Sequence, residues 1–153
     1  MTQLSGFQSG FTASFRIFCL ASAGVEQENH AFVVAAVTEH ITTLLSGLDR
    51  LEHNGFAFPG RRVAVFATNE RAALGDRIAG QLQESAVTRA VLDHPYYTNG
   101  LRFQIAVRTK DGKDVPFIDG GAFDWVAKLT SNRRAVYVAS GMGSQLAPLL
   151  FRA

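Results

Sequence analysis

The sequence predicts an α+β fold: a mostly antiparallel sheet with helices packed on one face. Three observations carry this. Asp111-Gly112-Lys113 separates two strand-like runs, 101–110 and 114–118, and marks a hairpin. His30, Val34, Val37, Ile41, Leu44, Leu48 and Leu51 recur at three- and four-residue steps, the period of a long helix. No repeat, low-complexity tract or linker divides the 153 residues, so helices and strands share one core and one domain spanning 1–153.

Taken in order, residues 1–10 are small and polar and read as a loose lead-in. The run 12–21 sets Phe15, Ile17 and Cys19 against Arg16, Phe18 and Leu20. Its aromatic and β-branched content predicts a strand, mostly buried and ended by Gly24. The long helix is expected over 26–51, with Asn54-Gly55 as its stop. Its heptad-like spacing would suit a partner interface, although packing on its own sheet is the simpler reading. A loop at 56–60 precedes a strand at 62–67. Thr68 or Asn69 can cap a helix over 70–84 that turns Leu74, Ile78 and Leu82 inward. A further strand is predicted at 86–93, and Pro95 then holds His94 extended. After the hairpin, 123–129 reads as a helix ended by Ser131-Asn132, and 135–139 as a strand. Gly141-Met142-Gly143-Ser144 should turn this strand into a terminal helix reaching 151, with Pro148 tolerated in the first turn.

The chain is 47% hydrophobic, which excludes disorder and allows a packed core. A formal charge of +2 is too weak to imply nucleic acid, and no such partner is expected. The single cysteine, Cys19, excludes an internal disulfide and a multi-cysteine metal site, and its apolar neighbours predict a buried, inert thiol. No basic leader precedes an apolar segment, and no run reaches the roughly 18 apolar residues of a span, so a cytoplasmic protein without membrane contact is expected.

The densest cluster of interest is 96–124. Tyr96-Tyr97-Thr98 opens one strand and Asp119-Gly120-Gly121 closes the next. Two adjacent strands built this way would leave a hollow floored by glycine and walled by phenol hydroxyls. Tyr96, Tyr97, His94, Asp119, Gly120 and Gly121 are therefore the candidate ligand-binding residues. His94 is a ligand contact or general base, or else a loop histidine satisfied by backbone. Asp119 would receive a ligand amine or an arginine, Asp124 would cap the following helix, and Trp125 would belong to the core. P-loop, dinucleotide and zinc-helix motifs are all missing, so no cofactor or metal is expected. The spacings of His30, His40 and His53 do not form a helical metal pair. Ser140 precedes Gly141, but a hydrolase triad would have to draw its histidine and acid from remote parts of the chain. Arg61-Arg62 and Arg133-Arg134 form a basic patch if they converge, and solvated surface otherwise.

Tyr96-Tyr97-Thr98-Asn99-Gly100-Leu101-Arg102-Phe103-Gln104, then Gly120-Gly121-Ala122-Phe123-Asp124, then 135–139 running into Gly141-Met142-Gly143-Ser144-Gln145, resembles the second half of a class II aminoacyl-tRNA synthetase core in its histidyl branch. The likeness covers roughly residues 90–150. It implies a class II synthetase-like half core whose tyrosine–glycine pocket holds an amino acid. The chain departs from that pattern at the residues that neutralise phosphate during adenylation. Leu92 falls where the histidine-site arginine belongs, Arg89 lies three residues away, and Gln145 stands near the arginine of motif three. Motif one and the motif-two arginine would precede residue 1. The resemblance therefore implies a domain that does not activate amino acids alone. Synthetase-like paralogues without catalysis, including the histidyl-like regulatory subunit of the short ATP phosphoribosyltransferase, keep that pocket as a sensor.

Three functions stay open at this point. The first is a non-catalytic domain that binds a small, amino-acid-like ligand or regulates a partner enzyme. The second is a small enzyme using His94 and Asp119, with Asp93 and Tyr97, for acid–base chemistry. The third is a structural module that homodimerises through the long helix or an open sheet edge.

Overall fold

The computed structural model describes residues 16–82 and 87–153. The strands are β1 (Ile17–Val25), β2 (Arg62–Ala67), β3 (Val87–Val91), β4 (Leu101–Arg108), β5 (Asp114–Phe123) and β6 (Ala135–Gly143). The helices are α1 (Ala31–Glu52), α2 (Ala72–Gln81), α3 (Trp125–Thr130) and α4 (Leu146–Leu150). The strands make one sheet in the order β1-β6-β5-β4-β2-β3. Every neighbouring pair is antiparallel except β2 and β3. The α+β class and the mostly antiparallel sheet predicted from the sequence are both present.

One face of the sheet carries the main core. Val33, Val37, Ile41, Leu44 and Leu48 form the inward stripe of α1 and pack with Val63, Val65, Phe103, Ile105 and Val138 from the strands. Leu74 and Ile78 of α2 and Ala147 of α4 join the same core. Phe58, Phe117 and Phe151 close one end, with ring centroids 4.9–5.7 Å apart. The segment Glu28–Glu52 is long and apolar enough to cross a membrane, but here its apolar stripe is consumed by the sheet. That outcome favours the plainer of the two expectations for the long helix, packing on its own sheet.

The opposite face is nearly bare, and the one-face expectation needs one amendment. The short α3 lies there, where Trp125 stacks on Phe123 at 4.1 Å. Leu92, Tyr97 and Phe123 form a second small cluster beneath it, with Phe66, Tyr137 and Ala139 packed around.

Several boundaries differ from the expected ones for identifiable reasons. α1 begins at Ala31, not 26, because Asn29 and His30 both take left-handed backbone angles (φ 55° and 57°). His30 is therefore an exposed cap position and not part of the inward stripe. Gly55, at φ +85°, does end the helix region as predicted. β1 runs on to Val25 with Gly24 inside it, because the Phe32 ring fills the place of the missing side chain. It is mostly exposed where burial was expected, since it is an edge strand. Cys19 is exposed with it. β5 and β6 each continue through a glycine pair, so Gly120-Gly121 and Gly141-Met142-Gly143 sit inside strands and do not form a closing turn. The lead-in at 1–10, the start of the 12–21 run, and residues 83–86, where one helix was to end and a strand to begin, lie outside the described residues.

Candidate functional site

Alternation along a strand sends successive side chains to opposite faces. On β4 it buries Leu101, Phe103, Ile105 and Val107 under α1 and turns Arg102 and Gln104 to the bare face. The register pairs Gln104 with Asp119 and Arg102 with Gly121. Asp119, Gly121 and Phe123 therefore share the bare face with Arg102, while Gly120 and Ala122 point into the core.

An ion pair stands at the centre of that face. Arg102 donates Nε to Asp119 Oδ1 at 3.0 Å and Nη2 to Oδ2 at 2.7 Å, the two-pronged geometry a guanidinium makes with a carboxylate. The Arg102 guanidinium also lies over the rings of Tyr97 and Phe66, at 5.1 and 5.5 Å. Tyr97 is 8% exposed. Burial, and then the bond its hydroxyl makes with Asp119, push the phenol well above its ordinary value, so it stays protonated and donates. The bond to Asp119 raises Arg102 further. Asp119 nonetheless keeps 41% of its side-chain surface open to solvent.

Five of the six expected site residues come together here. Tyr96 and Tyr97 meet edge to face at 5.4 Å, and the His94 ring lies 5.6 Å from Tyr97. His94 accepts from the Tyr96 backbone N–H at 3.2 Å, as a loop histidine satisfied by backbone would. Gly120 is the exception, because it faces the opposite side. The expected hollow above the diglycine is filled. A side chain at Gly120 would meet Phe103 and Ser140, and one at Gly121 would meet Tyr97 and the Leu101 carbonyl. Residues without a Cβ let neighbouring rings settle onto the backbone, so this glycine pair marks close packing. What remains open is Asp119 and, farther along the same face around Phe123, a shelf of Tyr96 (53% exposed), Trp125 and Tyr137. Trp125, expected in the core, is a partly exposed member of that shelf. Asp124 occupies the cap position of α3 without a side-chain capping bond. The Thr98 hydroxyl, then Lys128, hold its carboxyl below the usual range.

Sequence reasoning gave no partner to Ser140 and no role to His40. The fold joins them across the core face. His40 Nδ1 is 2.9 Å from Ser140 Oγ and its Nε2 is 3.0 Å from Ser22 Oγ. Both ring nitrogens are occupied by hydroxyls and none by a carboxylate, so no acid orients this histidine, and with Ser140 buried it is no hydrolase triad. The four arginines do not converge: Arg61 pairs with Asp49 and Glu52, and Arg62 with Asp114, while Arg133 and Arg134 border a cavity at another part of the sheet. Among the described residues no group of three or more His, Cys, Asp or Glu side chains could hold a metal.

No family model matches this chain, and no curated protein does. Among solved structures it is similar to apo histidyl-tRNA synthetase of S. aureus, with a TM-score of 0.61 and 10% identity. The match covers 88% of this chain and 39% of that one, so the chain spans well under half of the enzyme it resembles. At that identity the likeness establishes the fold alone: this is a mixed α+β chain with a class II synthetase-like fold.

Proposed function

We propose that this chain is a non-catalytic, synthetase-like domain that binds a small zwitterionic, amino-acid-like ligand on the bare face of its sheet. The observation that carries this reading is the Arg102–Asp119 pair. A carboxylate and a guanidinium side by side complement the ammonium and carboxylate of an amino acid head group. The aromatic shelf of Tyr96, Trp125 and Tyr137 supplies apolar surface for the remainder of such a ligand. Absence of catalysis is supported by the same pair, since a carboxylate clamped by arginine is a poor general base. It is supported also by Gln145, which stands near the place where the family's motif-three arginine holds nucleotide. A domain of this kind would report ligand occupancy to a partner enzyme.

The test is a thermal-shift screen of the twenty amino acids. At about 100 times its Kd, a ligand confined to the folded state adds ~2.7 kcal/mol. For a chain of this size that is a rise of roughly 5–10 °C in Tm. Asp119→Asn should abolish the rise. A screen without a responding amino acid, or an Asp119→Asn protein that responds fully, would overturn the reading.

The outer edge of β1 supports a homodimer as well. This strand has no charge, proline or bulge of the kind that blunts sheet edges, and it leaves Ile17 and Val25 each 50% exposed. Arg16 precedes it and Glu26 follows it. Antiparallel pairing of two copies about Ala21 sets Ile17 opposite Val25 and Phe18 opposite Gly24. Ala21→Glu places two like charges at the dyad on an exposed position. It should convert a dimer to a monomer in light scattering while the far-ultraviolet circular dichroism stays that of the folded chain, and should remove any dependence of the thermal midpoint on protein concentration. A monomeric wild-type chain would sink this assembly.

A further inference from the structure

A cavity of about 340 Å³ at one end of the sheet, away from the Arg102–Asp119 pair, is built from four separate turns. The turn from β1 to α1 contributes Glu26, Glu28 and His30, and the start of α2 contributes Arg71. Asn99 comes from the turn before β4, and Arg133 and Arg134 from the turn before β6. We infer that this cavity binds a compact phosphate-bearing anion of the size of phosphate or diphosphate.

The charges favour it. Three guanidiniums border the cavity, and none of Arg71, Arg133 and Arg134 forms an ion pair among the described residues. Of the two acids at its rim, Glu26 is already committed. Its Oε1 accepts the backbone N–H groups of Gln27, Phe32 and Val33. Glu28 makes no ion pair among the described residues. Cationic groups drawn to one cavity repel one another, and a polyvalent anion relieves that repulsion while filling their donor positions.

The scaffold around the arginines is held in place. Arg134 donates to the Glu26 carbonyl at 2.7 Å, which ties the β6 turn to the end of β1. Arg71 reaches His30 Nδ1 at 3.2 Å, and Arg77 donates to the Asn29 carbonyl. Those two contacts fix the successive left-handed residues Asn29 and His30, a backbone that only surrounding structure can hold. Among the described residues Arg133 makes no hydrogen bond or ion pair through its side chain, which leaves its donors available to a ligand.

The size and the rim select the ligand class. A single carboxylate satisfies one guanidinium fork, whereas phosphate and diphosphate carry enough oxygens and charge for three. The carboxylates of Glu26 and Glu28 oppose an extended polyanion crossing the rim, so a small anion is favoured over a nucleic-acid backbone.

Calorimetric titration of the full chain with sodium diphosphate at 100 mM NaCl tests this. The wild-type protein should show saturable binding. Arg71→Gln and Arg133→Gln should each weaken it about tenfold, the loss of one charge-assisted contact. Lys110→Gln, an equal change of charge on the hairpin at the far end of β4, should shift Kd less than threefold, since salt screens distant charges. Circular dichroism at matched temperature shows that each variant is folded. Lack of saturable binding, equal loss in the Lys110 control, or single-stranded RNA binding more tightly through the same two arginines would each overturn the assignment.

Discussion

Replacing Gly120 with valine should destabilise the chain by ~3 kcal/mol or more, above the usual range for an overpacked core, because the obstructions are rigid. Gly120 faces the α1 side of the sheet, directly between two neighbours. The first atom of any side chain there would sit 2.5 Å from Ser140 Cβ on β6 and 2.6 Å from the Phe103 ring on β4. Neither can give way. Ser140 is buried and bonded to His40, and Phe103 is fully buried. Valine adds two further methyl groups to that collision. A loss of this size is a large part of the roughly 5–15 kcal/mol that separates folded from unfolded states in ordinary domains. Urea denaturation should show a much lower midpoint with an unchanged slope. Phe103→Ala alone should cost ~3–5 kcal/mol through the cavity it leaves. Combined with Gly120→Val it should cost less than the two single effects added, since each change relieves the other. An unchanged midpoint for Gly120→Val would mean that Phe103 does not lie over this glycine.

That outcome reverses what the sequence alone suggests for the same residue, and the reason is physical. A diglycine in a strand announces that something approaches the backbone closely, but it does not say whether that is a ligand or the protein's own ring. Asp119-Gly120-Gly121 was legible as a special place, and Tyr97 as its neighbour. The occupant of the space was not, because Phe103 and Ser140 are brought there by pairing across β4, β5 and β6. An arginine was one of the two partners expected for Asp119, but which arginine was not legible: Arg102 and Asp119 are seventeen residues apart, and only the hairpin register sets them on one face. Features written locally were recovered well. The hairpin turn, β2 and the inward stripe of α1 follow from turn chemistry and periodicity. The start of α1 was misplaced because Asn29 and His30 take left-handed angles that neither residue type requires. His40 shows the limit most plainly. It sits at an inward helical position, where periodicity alone marks an apolar residue, and its two hydroxyl partners lie eighteen and one hundred residues away.

Acid should therefore weaken this fold through His40 before the carboxylates titrate. Burial holds the imidazole below its ordinary value, with the nearby Glu39 opposing only in part. The folded state accordingly keeps His40 neutral at pH values where the unfolded chain, with a histidine near ~6.5, has begun to take up the proton. Stability from this group is complete above about pH 6.5 and falls as pH drops from there toward the lower folded value, because the unfolded state binds more protons throughout that window. In the neutral ring one nitrogen donates and the other accepts, so Ser140 and Ser22 take complementary roles. Protonation makes both nitrogens donors and places a charge in the core that Glu39 offsets only in part and no carboxylate hydrogen-bonds. The urea midpoint should hold steady from pH 8 to 7 and decline as pH falls below about 6.5. His40→Gln should remove most of that decline. It should also lower stability at pH 8 by ~1–3 kcal/mol, since an amide cannot span both serines and leaves a buried hydroxyl unpaired. A His40→Gln protein that keeps the wild-type pH slope would assign the acid sensitivity elsewhere and remove His40 as the group that couples α1 to β1 and β6.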